Sequence, residues 1–189
     1  MKSEAFGRFL AVCFIGSTLA AVSVSASAQD SGFYIGAGAG MTSFDTCDDL
    51  TGLGLTSCDD EDSGFKVYAG KGFTQNFGVE VGWVDLGEIK ASGPGGTAAL
   101  GVDGFQVAAL GMLPLNPRIS LFGKVGVYLW DASASGPGGS LSDDGSDIMF
   151  GVGLNWNLAR RLDLRVEWEQ FDIDGDDVSL LSAGVAFRF

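Results

Sequence analysis

The chain contains no histidine, which restricts the chemistry that its other side chains can perform. Histidine is the commonest general base in enzymes and the commonest metal-binding side chain. Its absence excludes serine–histidine hydrolases, zinc–histidine sites and haem–histidine sites. An active site made of carboxylates alone stays open, although nothing in the sequence points to one, and we expect no bound cofactor.

Carboxylates crowd two polar segments of the chain, and these segments are the first candidates for a metal site. An EF-hand loop needs glycine at its sixth position and glutamate at its twelfth. Counted from Asp172, these positions hold Asp177 and Ala183. The sequence therefore predicts an acidic, solvated surface without a specific metal site, and it leaves open a loose binding of divalent cations. The first segment contains Asp48, Asp49, Asp59, Asp60, Glu61 and Asp62, and the second contains Asp172, Asp174, Asp176 and Asp177.

The beginning of the chain has the features of an export signal. Lys2 and Arg8 form a basic start, residues 9–24 are apolar, and Ala26, Ser27 and Ala28 supply a small-residue cleavage site. A membrane-anchoring helix would need about 20 apolar residues, and the apolar run here is shorter. We predict a signal peptide over residues 1–28 and a mature domain over residues 29–189.

The mature domain contains two cysteines, Cys47 and Cys58, which are separated by ten residues. An exported chain matures in an oxidising compartment, where such a pair predicts a local disulfide. A zinc site would need a second pair of cysteine or histidine ligands. We therefore expect a disulfide between Cys47 and Cys58.

Composition excludes further classes of protein and raises a question about hydropathy. The net charge is −13, so the basic surface that nucleic-acid binding requires is missing. Hydrophobic residues nevertheless make up 46 % of the chain, and the mean hydropathy is +0.25. Such a value is unusual for a small acidic exported protein, and its explanation lies in the spacing of the apolar residues.

Apolar residues alternate with polar or small residues along most of the mature domain, which indicates β-strands. Leu164, Val166 and Trp168, for example, alternate with charged residues. Short turns and longer loops alternate between the segments, as in a barrel with short turns at one rim. The predicted strands are residues 32–44, 64–73, 77–90, 98–113, 119–133, 147–158, 162–172 and 178–189, and the predicted longer loops are residues 45–62, 91–97, 134–146 and 173–177.

A soluble β-sandwich also has alternating strands, but three features favour a barrel in a membrane. The apolar sides are long enough for the roughly 9–11 residues with which a tilted strand crosses a bilayer. The opposite sides are rich in glycine with isolated charges, which suits a narrow lumen filled by side chains and water. Aromatic residues collect near strand ends, where they would form girdles at the membrane interfaces. They are Phe73, Phe77 and Trp156 near short turns, and Trp83, Trp168 and Phe171 near longer loops.

One residue departs from this pattern. Asp103 lies on the apolar side of its predicted strand. We expect a β-bulge near the loop rim at this point.

Three segments of the chain carry a resemblance to a known family. They are SGFYIGAGAG at residues 31–40, the run Arg165-Val166-Glu167-Trp168, and the C-terminal residues 182–189. Over its mature length the chain resembles the OmpA-like transmembrane β-barrel family. The resemblance implies an all-β protein, an eight-stranded antiparallel transmembrane β-barrel in the outer membrane of a Gram-negative cell.

The C-terminal residues are similar to the sorting signal of outer-membrane barrels. The matching positions are Ser182, Gly184, Phe187 and Phe189. This resemblance implies assembly by the outer-membrane insertion machinery.

The family resemblance also implies ion pairs inside the barrel. Glu80 and Arg165 match the expected positions, and Lys124 and Glu167 can substitute for family charges that this chain lacks. Counted along their strands, Glu80 and Arg165 lie at one depth, and Lys124 and Glu167 lie one layer above. We expect two pairs of opposite charge across the lumen, which form either a stabilising plug or a gate.

These features predict a structural, non-enzymatic outer-membrane protein with at most a narrow porin-like passage. Enzymatic outer-membrane barrels resemble one another in relying mostly on a catalytic histidine, which this chain lacks. We expect a monomer surrounded by outer-membrane lipids and lipopolysaccharide, with no nucleic-acid partner. The alternative is a surface adhesion or host-interaction protein that acts through its acidic loops.

Overall fold

The computed structural model describes residues 32–44, 57–59, 61–93, 96–136 and 139–189. The predicted signal peptide and Cys47 lie outside the described residues. Cys58 lies within a short strand, but its side chain also lies outside the description, so the predicted disulfide stays a prediction. No helix long and apolar enough to cross a membrane occurs in the described ranges.

Nine strands form within these ranges, and eight of them are long. Each long strand is antiparallel to its neighbours, and the pairing of β4 with β5 closes the sheet into a barrel. The eight-stranded antiparallel barrel that the sequence predicts is therefore confirmed. The strands are β1 (Phe33–Phe44), β2 (Ser57–Asp59), β3 (Glu61–Gly72), β4 (Phe77–Gly93), β5 (Gly96–Asn116), β6 (Ile119–Gly136), β7 (Gly139–Ala159), β8 (Leu162–Ile173) and β9 (Asp176–Arg188).

Alternation decides which side chains face outwards. In β8, Leu164 and Val166 are exposed on the outer surface, whereas Arg165 and Glu167 are buried in the lumen. The other long strands follow the same two-residue period, so that the outer surface carries an apolar belt. An exposed apolar belt with a charged interior is the arrangement expected for a barrel surrounded by lipid.

Strands β4, β5, β6 and β7 are each longer than the sequence predicts by three residues or more. Ser135 pairs with Ser140 and Ser92 pairs with Thr97, so most of residues 91–97 and 134–146 are strand and not loop. The extensions escaped prediction because serine, alanine, glycine and aspartate occupy both of their faces, which removes the hydrophobic alternation. Strands β4 to β7 therefore continue as a sheet beyond the end of β8.

Short turns join β3 to β4, β5 to β6 and β7 to β8, and together they form one end of the barrel, the short-turn end. Side chains stabilise two of these turns by accepting backbone hydrogen bonds. Thr74 Oγ1 accepts from the N–H of Phe77 at 3.0 Å, and Asn116 Oδ1 accepts from the N–H of Ile119 at 2.9 Å. The opposite end is called the loop end. There β8 and β9 are joined by Asp174 and Gly175 alone, so the longer loop predicted over residues 173–177 is a short turn.

The expected bulge lies in β4 rather than at Asp103 itself. The register between β4 and β5 shifts between Asp85 and Glu88, and Gly87 has a φ of 82°, which favours glycine. Asp103 on the neighbouring strand remains on the outer face, where its Oδ2 accepts a hydrogen bond from Trp83 Nε1 at 3.1 Å. The indole N–H therefore gives this exposed carboxylate a partner at the loop end of the apolar belt.

The predicted aromatic girdles need one correction. Trp168 is on the outer surface and packs edge-on against Phe150, with ring centroids 5.8 Å apart. Phe171, in contrast, is fully buried in the lumen and packs against Tyr128 at 4.7 Å. Because Phe171 lies three residues after Trp168 on one strand, the two side chains must point to opposite faces.

Candidate functional site

A cluster of charged side chains fills the middle of the lumen, and we call it the charge cluster. All six members are buried, although ions rarely lose water without partners. Arg165, Glu167 and Glu169 are stacked along the inward face of β8, since inward positions recur every second residue. The members are the cations Lys66, Lys124 and Arg165 and the anions Glu80, Glu167 and Glu169.

Arg165 links two of the carboxylates on the short-turn side of the cluster. Its Nη1 lies 2.6 Å from Glu80 Oε2, and its Nε lies 3.2 Å from Glu167 Oε2. The guanidinium carbon also lies 4.6 Å and 4.1 Å from the ring centroids of Tyr68 and Phe122. Stacking on aromatic faces and pairing with carboxylates together compensate the loss of hydration of this cation.

Tyr34 adds a neutral partner for Glu80. The Tyr34 hydroxyl donates a hydrogen bond to Glu80 Oε2 at 2.9 Å. Small residues leave space for the lumenal rings: a Cβ on Gly70 would lie 2.2 Å from the Tyr34 ring, and a Cβ on Gly153 would lie 2.4 Å from the Phe122 ring. The glycine-rich inward faces are thus used to accommodate aromatic side chains rather than to leave an open channel.

Lys124 connects the carboxylates of β4 and β8. Its Nζ lies 2.8 Å from Glu167 Oε1, 2.5 Å from Glu169 Oε1 and 3.3 Å from Glu80 Oε1. When the Gln106 amide is oriented to satisfy both neighbours, its oxygen accepts from Lys124 and its nitrogen donates to Glu169, each at 3.2 Å. The buried ammonium group is therefore surrounded by three carboxylates, and it donates a hydrogen bond to Glu80 Oε1.

Lys66 and Glu169 complete the charge cluster, and sequence reasoning did not select them. The Lys66 ammonium group contacts both Glu167 and Glu169. Both residues could have been found from their parity. Lys66 lies on the same strand face as Gly64 and Tyr68, and Glu169 follows Glu167 by two positions. Three cations and three carboxylates make the cluster neutral.

The structure brings Glu80, Lys124, Arg165 and Glu167 together, and it places them in one network. Glu167 contacts cations on β3, β6 and β8, and Glu80 contacts cations on β6 and β8. The two charge layers expected from strand counting are therefore connected. Each carboxylate has more than one cationic or hydrogen-bonding partner, as a buried ionic group requires.

An apolar plug occupies the lumen on the loop side of the charge cluster. The sequence predicts a lumen of glycine and isolated charges, and this half of the lumen differs because inward positions beyond Glu80, Lys124 and Glu169 are large and apolar. The Tyr128 hydroxyl satisfies its hydrogen bonding there by donating to the Val84 carbonyl at 3.1 Å. The plug is made of Phe44, Val84, Leu86, Tyr128, Trp130, Met149, Phe171 and Leu180, among others.

Open space reaches the cluster from the short-turn end. A cavity of about 570 Å³ extends inwards from the turns and ends at Tyr34 and Arg165. At its rim, Arg188 Nη2 lies 2.7 Å from Asp163 Oδ1, which also accepts from Asn157. Another cavity, of about 640 Å³, opens at the loop end and is lined by Asp62, Asp85 and several serines. The charge cluster and the apolar plug lie on the loop side of the first cavity, whereas the second cavity is lined in part by outward-facing residues such as Asp85 and Asp103.

The four residues of the predicted sorting signal lie along β9 and the residue that follows it. Ser182 is buried in the lumen, whereas Phe187 and Phe189 are exposed on the outer surface and pack edge-on at 5.4 Å. Gly184 lies at the seam with β1, where an added Cβ would be 2.2 Å from the carbonyl oxygen of Ala37. Glycine is required here because the two backbones approach too closely for a side chain.

The acidic residues of the last connection serve local roles. Asp172 Oδ1 accepts from the N–H of Gly175 at 3.1 Å in the turn after β8. Among the residues with a described position, no group of three or more Asp, Glu, Cys or His side chains could hold a metal ion. Asp48, Asp49 and Asp60 of the first acidic segment lie outside the described residues.

Comparison with known proteins places this geometry in a family. A model of the "Outer membrane protein beta-barrel domain" matches residues 14–189. Outer membrane protein A of Yersinia pseudotuberculosis is 28 % identical over 204 residues, which cover 100 % of this chain and 56 % of the relative. Outer membrane protein A of Serratia marcescens is 26 % identical over 208 residues, with the same coverage of 100 % and 56 %. The chain thus spans about half the length of these relatives.

Solved structures share the fold. Neisserial surface protein A is similar with a TM-score of 0.64 and 16 % identity, over 84 % of this chain and 98 % of that protein. Ail, the attachment invasion locus protein of Yersinia pestis, is similar with a TM-score of 0.56 and 20 % identity, over 83 % of this chain and 96 % of that protein. Because the family model covers more than half of the sequence, the chain belongs to the outer membrane protein beta-barrel domain family and is an OmpA-like barrel of the cell outer membrane.

Proposed function

We propose that this protein is a structural, non-enzymatic component of the outer membrane whose lumen is closed at rest. The observation that carries the proposal is the neutral charge cluster with the apolar plug above it. An ion that crossed the lumen would have to displace a buried ion pair and then enter an apolar layer, and both steps are costly. In this proposal the charge cluster has a stabilising role and does not act as a gate. Its members that the sequence predicts are Glu80, Lys124, Arg165 and Glu167.

The non-enzymatic part of the proposal rests on the state of the lumenal carboxylates. A general acid or base must be free to exchange a proton with a substrate. Glu80, Glu167 and Glu169 each contact cationic nitrogens instead, and the cavity at the short-turn end stops at Arg165. The cluster thus supports a structural role better than a catalytic one.

The outer surface supports proposals on surroundings and assembly. The exposed apolar belt fits outer-membrane lipids, with lipopolysaccharide at the loop end, around a monomer.

The insertion machinery reads a signal formed by Ser182, Gly184, Phe187 and Phe189. Phe189→Ala should then reduce the yield of inserted barrel in the outer membrane, whereas Phe73→Ala, which changes an equally exposed aromatic at the same end, should not. Equal yields of the two variants would contradict the assembly role.

Planar-bilayer recording of the refolded, unmodified protein tests the closed lumen. We expect no steady conductance at moderate voltage, because the charge cluster and the apolar plug block the path through the lumen. The matched pair is Lys124→Ala, which removes a cation from the cluster, and Lys71→Ala, which removes one from outside the lumen. Steady ohmic conductance of the unmodified protein would overturn the closed state. An open current of the same size in the Lys124→Ala and Lys71→Ala variants would overturn it as well.

Surface binding is the second candidate function, and one observation favours it. The sheet β4–β7 continues beyond β8 at the loop end, which faces the cell exterior in bacterial barrels. A barrel that only filled the membrane would not need this extension. Deleting residues 134–141 shortens the β6–β7 hairpin, and loss of binding to host cells by bacteria that display this variant would support the role. Unchanged binding of this variant to host cells would contradict a surface-binding role for the hairpin.

A further inference from the structure

The part of β7 at the loop end has an edge that no described strand pairs with. On one side, β7 pairs with β6 along its whole length, from Gly139 opposite Gly136. On the other side, pairing with β8 begins only at Met149, which lies opposite Phe171. β8 continues to Ile173, and the Asp174 N–H donates to Asp147 Oδ2 at 3.3 Å, so the uncovered stretch ends before Asp147. Residues 139–146 therefore present an edge on which about every second residue directs its N–H and C=O away from the sheet.

This edge lacks the features with which proteins usually protect an exposed strand. Edge strands are commonly blocked by proline, lysine or a bulge, or are very short. Residues 139–146 contain no proline and no lysine, and the pairing with β6 is regular over this stretch. Its charged side chains are Asp143 and Asp144, which repel an acidic strand but attract a basic one. Leu141 is 79 % exposed within it, which offers an apolar contact in an otherwise polar strand. Among the described residues, the side chains of residues 139–144 are all exposed along this edge.

A row of four aspartates ends at this edge, and we call it the aspartate row. Asp85 lies directly opposite Asp103, Asp103 opposite Asp131, and Asp131 opposite Asp144. Directly opposite residues share one face of the sheet, so the row crosses β4 to β7 on the outer face. Like charges in this arrangement repel one another, and the row would gain most from a cation at its open end.

We propose that the edge of β7 over residues 139–146 binds an extended cationic polypeptide segment as an additional β-strand. The residue of such a strand that lies opposite Asp144 would be the fifth member of the row and its first positive charge. Asp143 points to the other face of β7, so basic side chains on either face of the added strand meet a carboxylate. The proposal rests on the second candidate function, for which it names the partner chemistry.

Charge also decides against a second copy of this chain as the occupant. Two β7 edges that paired with each other would bring Asp143 and Asp144 of one copy against like charges of the other. Backbone hydrogen bonds supply affinity in strand addition, and alternate side chains supply specificity. A basic, extended segment satisfies both requirements here.

The test uses the full mature protein, refolded in detergent micelles, and a fluorescent ten-residue peptide of alternating lysine and threonine. The control peptide has the same composition with D-threonine, so that its charge is kept but it cannot form a regular strand. We expect fluorescence anisotropy to show that the all-L peptide binds at least tenfold more tightly. Equal affinity of the two peptides, or no binding of either, would overturn strand addition.

Two double variants separate the edge from the general acidity of the loop end. Asp143→Asn with Asp144→Asn should weaken binding of the all-L peptide by about tenfold, because one member of the aspartate row is lost. Asp172→Asn with Asp177→Asn removes the same charge beside paired strands and should change affinity less than twofold. Equal losses would show that charge alone attracts the peptide. If cell binding depends on the hairpin but the peptide does not bind, surface binding stands and the edge mechanism fails.

Discussion

Arg165 is the residue on which the charge cluster depends most at its short-turn side. It pairs with Glu80 and Glu167 and is held between the rings of Tyr68 and Phe122. Its removal would leave carboxylates buried with less compensation, while the aromatic rings would lose a packed neighbour. Single changes in such a network should therefore cost more than the same changes at an exposed ion pair.

Arg165→Ala should destabilise the barrel by about 3–5 kcal/mol, since it leaves Glu80 buried without its closest cation. Adding Glu80→Ala should restore part of this loss, and the recovery should be incomplete because Glu167 also contacts Arg165. Urea unfolding of protein refolded in lipid vesicles measures both values in a double-mutant cycle. Strictly additive effects of the two substitutions would contradict a coupled pair.

Lys66→Met tests the part of the cluster that sequence reasoning did not select. The substitution leaves three carboxylates with two cations, so we expect a loss of about 3 kcal/mol in the free energy of unfolding. Lys71→Met is the matched control, because Lys71 lies outside the lumen, 4.5 Å from the Phe33 ring centroid. Its loss should not exceed about 1 kcal/mol. A Lys66 variant as stable as the control would show that the cluster does not need its neutrality.

At the scale of elements, the seam between β1 and β9 closes the barrel between the first and last strands of the chain. Gly38 lies opposite Gly184, and Gly40 lies opposite Ser182. A Cβ on Gly40 would be 1.9 Å from the carbonyl oxygen of Leu181, so glycine permits a backbone approach that other residues prevent. Closure therefore depends on small residues at a few positions of two strands.

Gly184→Ala should reduce the folded fraction, because its Cβ would meet the Ala37 carbonyl at 2.2 Å and force the seam to shift. We expect a loss of about 2 kcal/mol, in the range of overpacked sites. Gly111→Ala is the control, since nothing lies within 4 Å of the added Cβ. Unfolding in urea compares the two variants. Equal stability of both would argue against a tightly packed seam.

At the scale of the whole molecule, the described strands form a closed sheet with an apolar belt on its outer surface and a neutral charge cluster in its lumen. Closure pairs the backbone groups of every long strand, and a closed barrel has no edge within the membrane. The free edge of β7 lies beyond this region, where the sheet extends past β8. The fold thus confines its open backbone groups to the loop end.

A closed barrel of this kind should resist unfolding by detergent until it is heated. We expect the mature protein to fractionate with the outer membrane and to migrate differently in detergent gels before and after boiling, because complete backbone pairing keeps the barrel intact. Membrane fractionation followed by gel electrophoresis of unboiled and boiled samples measures this. The same mobility in both states would contradict a stable barrel in detergent.

Sequence alone determined the barrel and the facing of its residues. The two-residue period defined all eight long strands. The family resemblance pointed to Glu80, Lys124, Arg165 and Glu167, counting along the strands gave their depth, and the four side chains meet in the lumen. These features are local, because the direction of a side chain in a strand follows from its position alone. The two-residue alternation also applies to Phe171, whose position in β8 faces the lumen. Phe171 was expected in the aromatic girdle because it lies near the loop end, without regard to the face on which its side chain lies.

Only the tertiary structure decided which inward side chains touch. Lys66 and Glu169 join the charge cluster because the stagger between strands brings β3, β6 and β8 to the same depth, and stagger arises from pairing between distant segments. The polar extension of β7 and its free edge likewise depend on where β8 ends, which no hydrophobic pattern marks. Facing is a property of one strand, whereas contact across a barrel is a property of all of them.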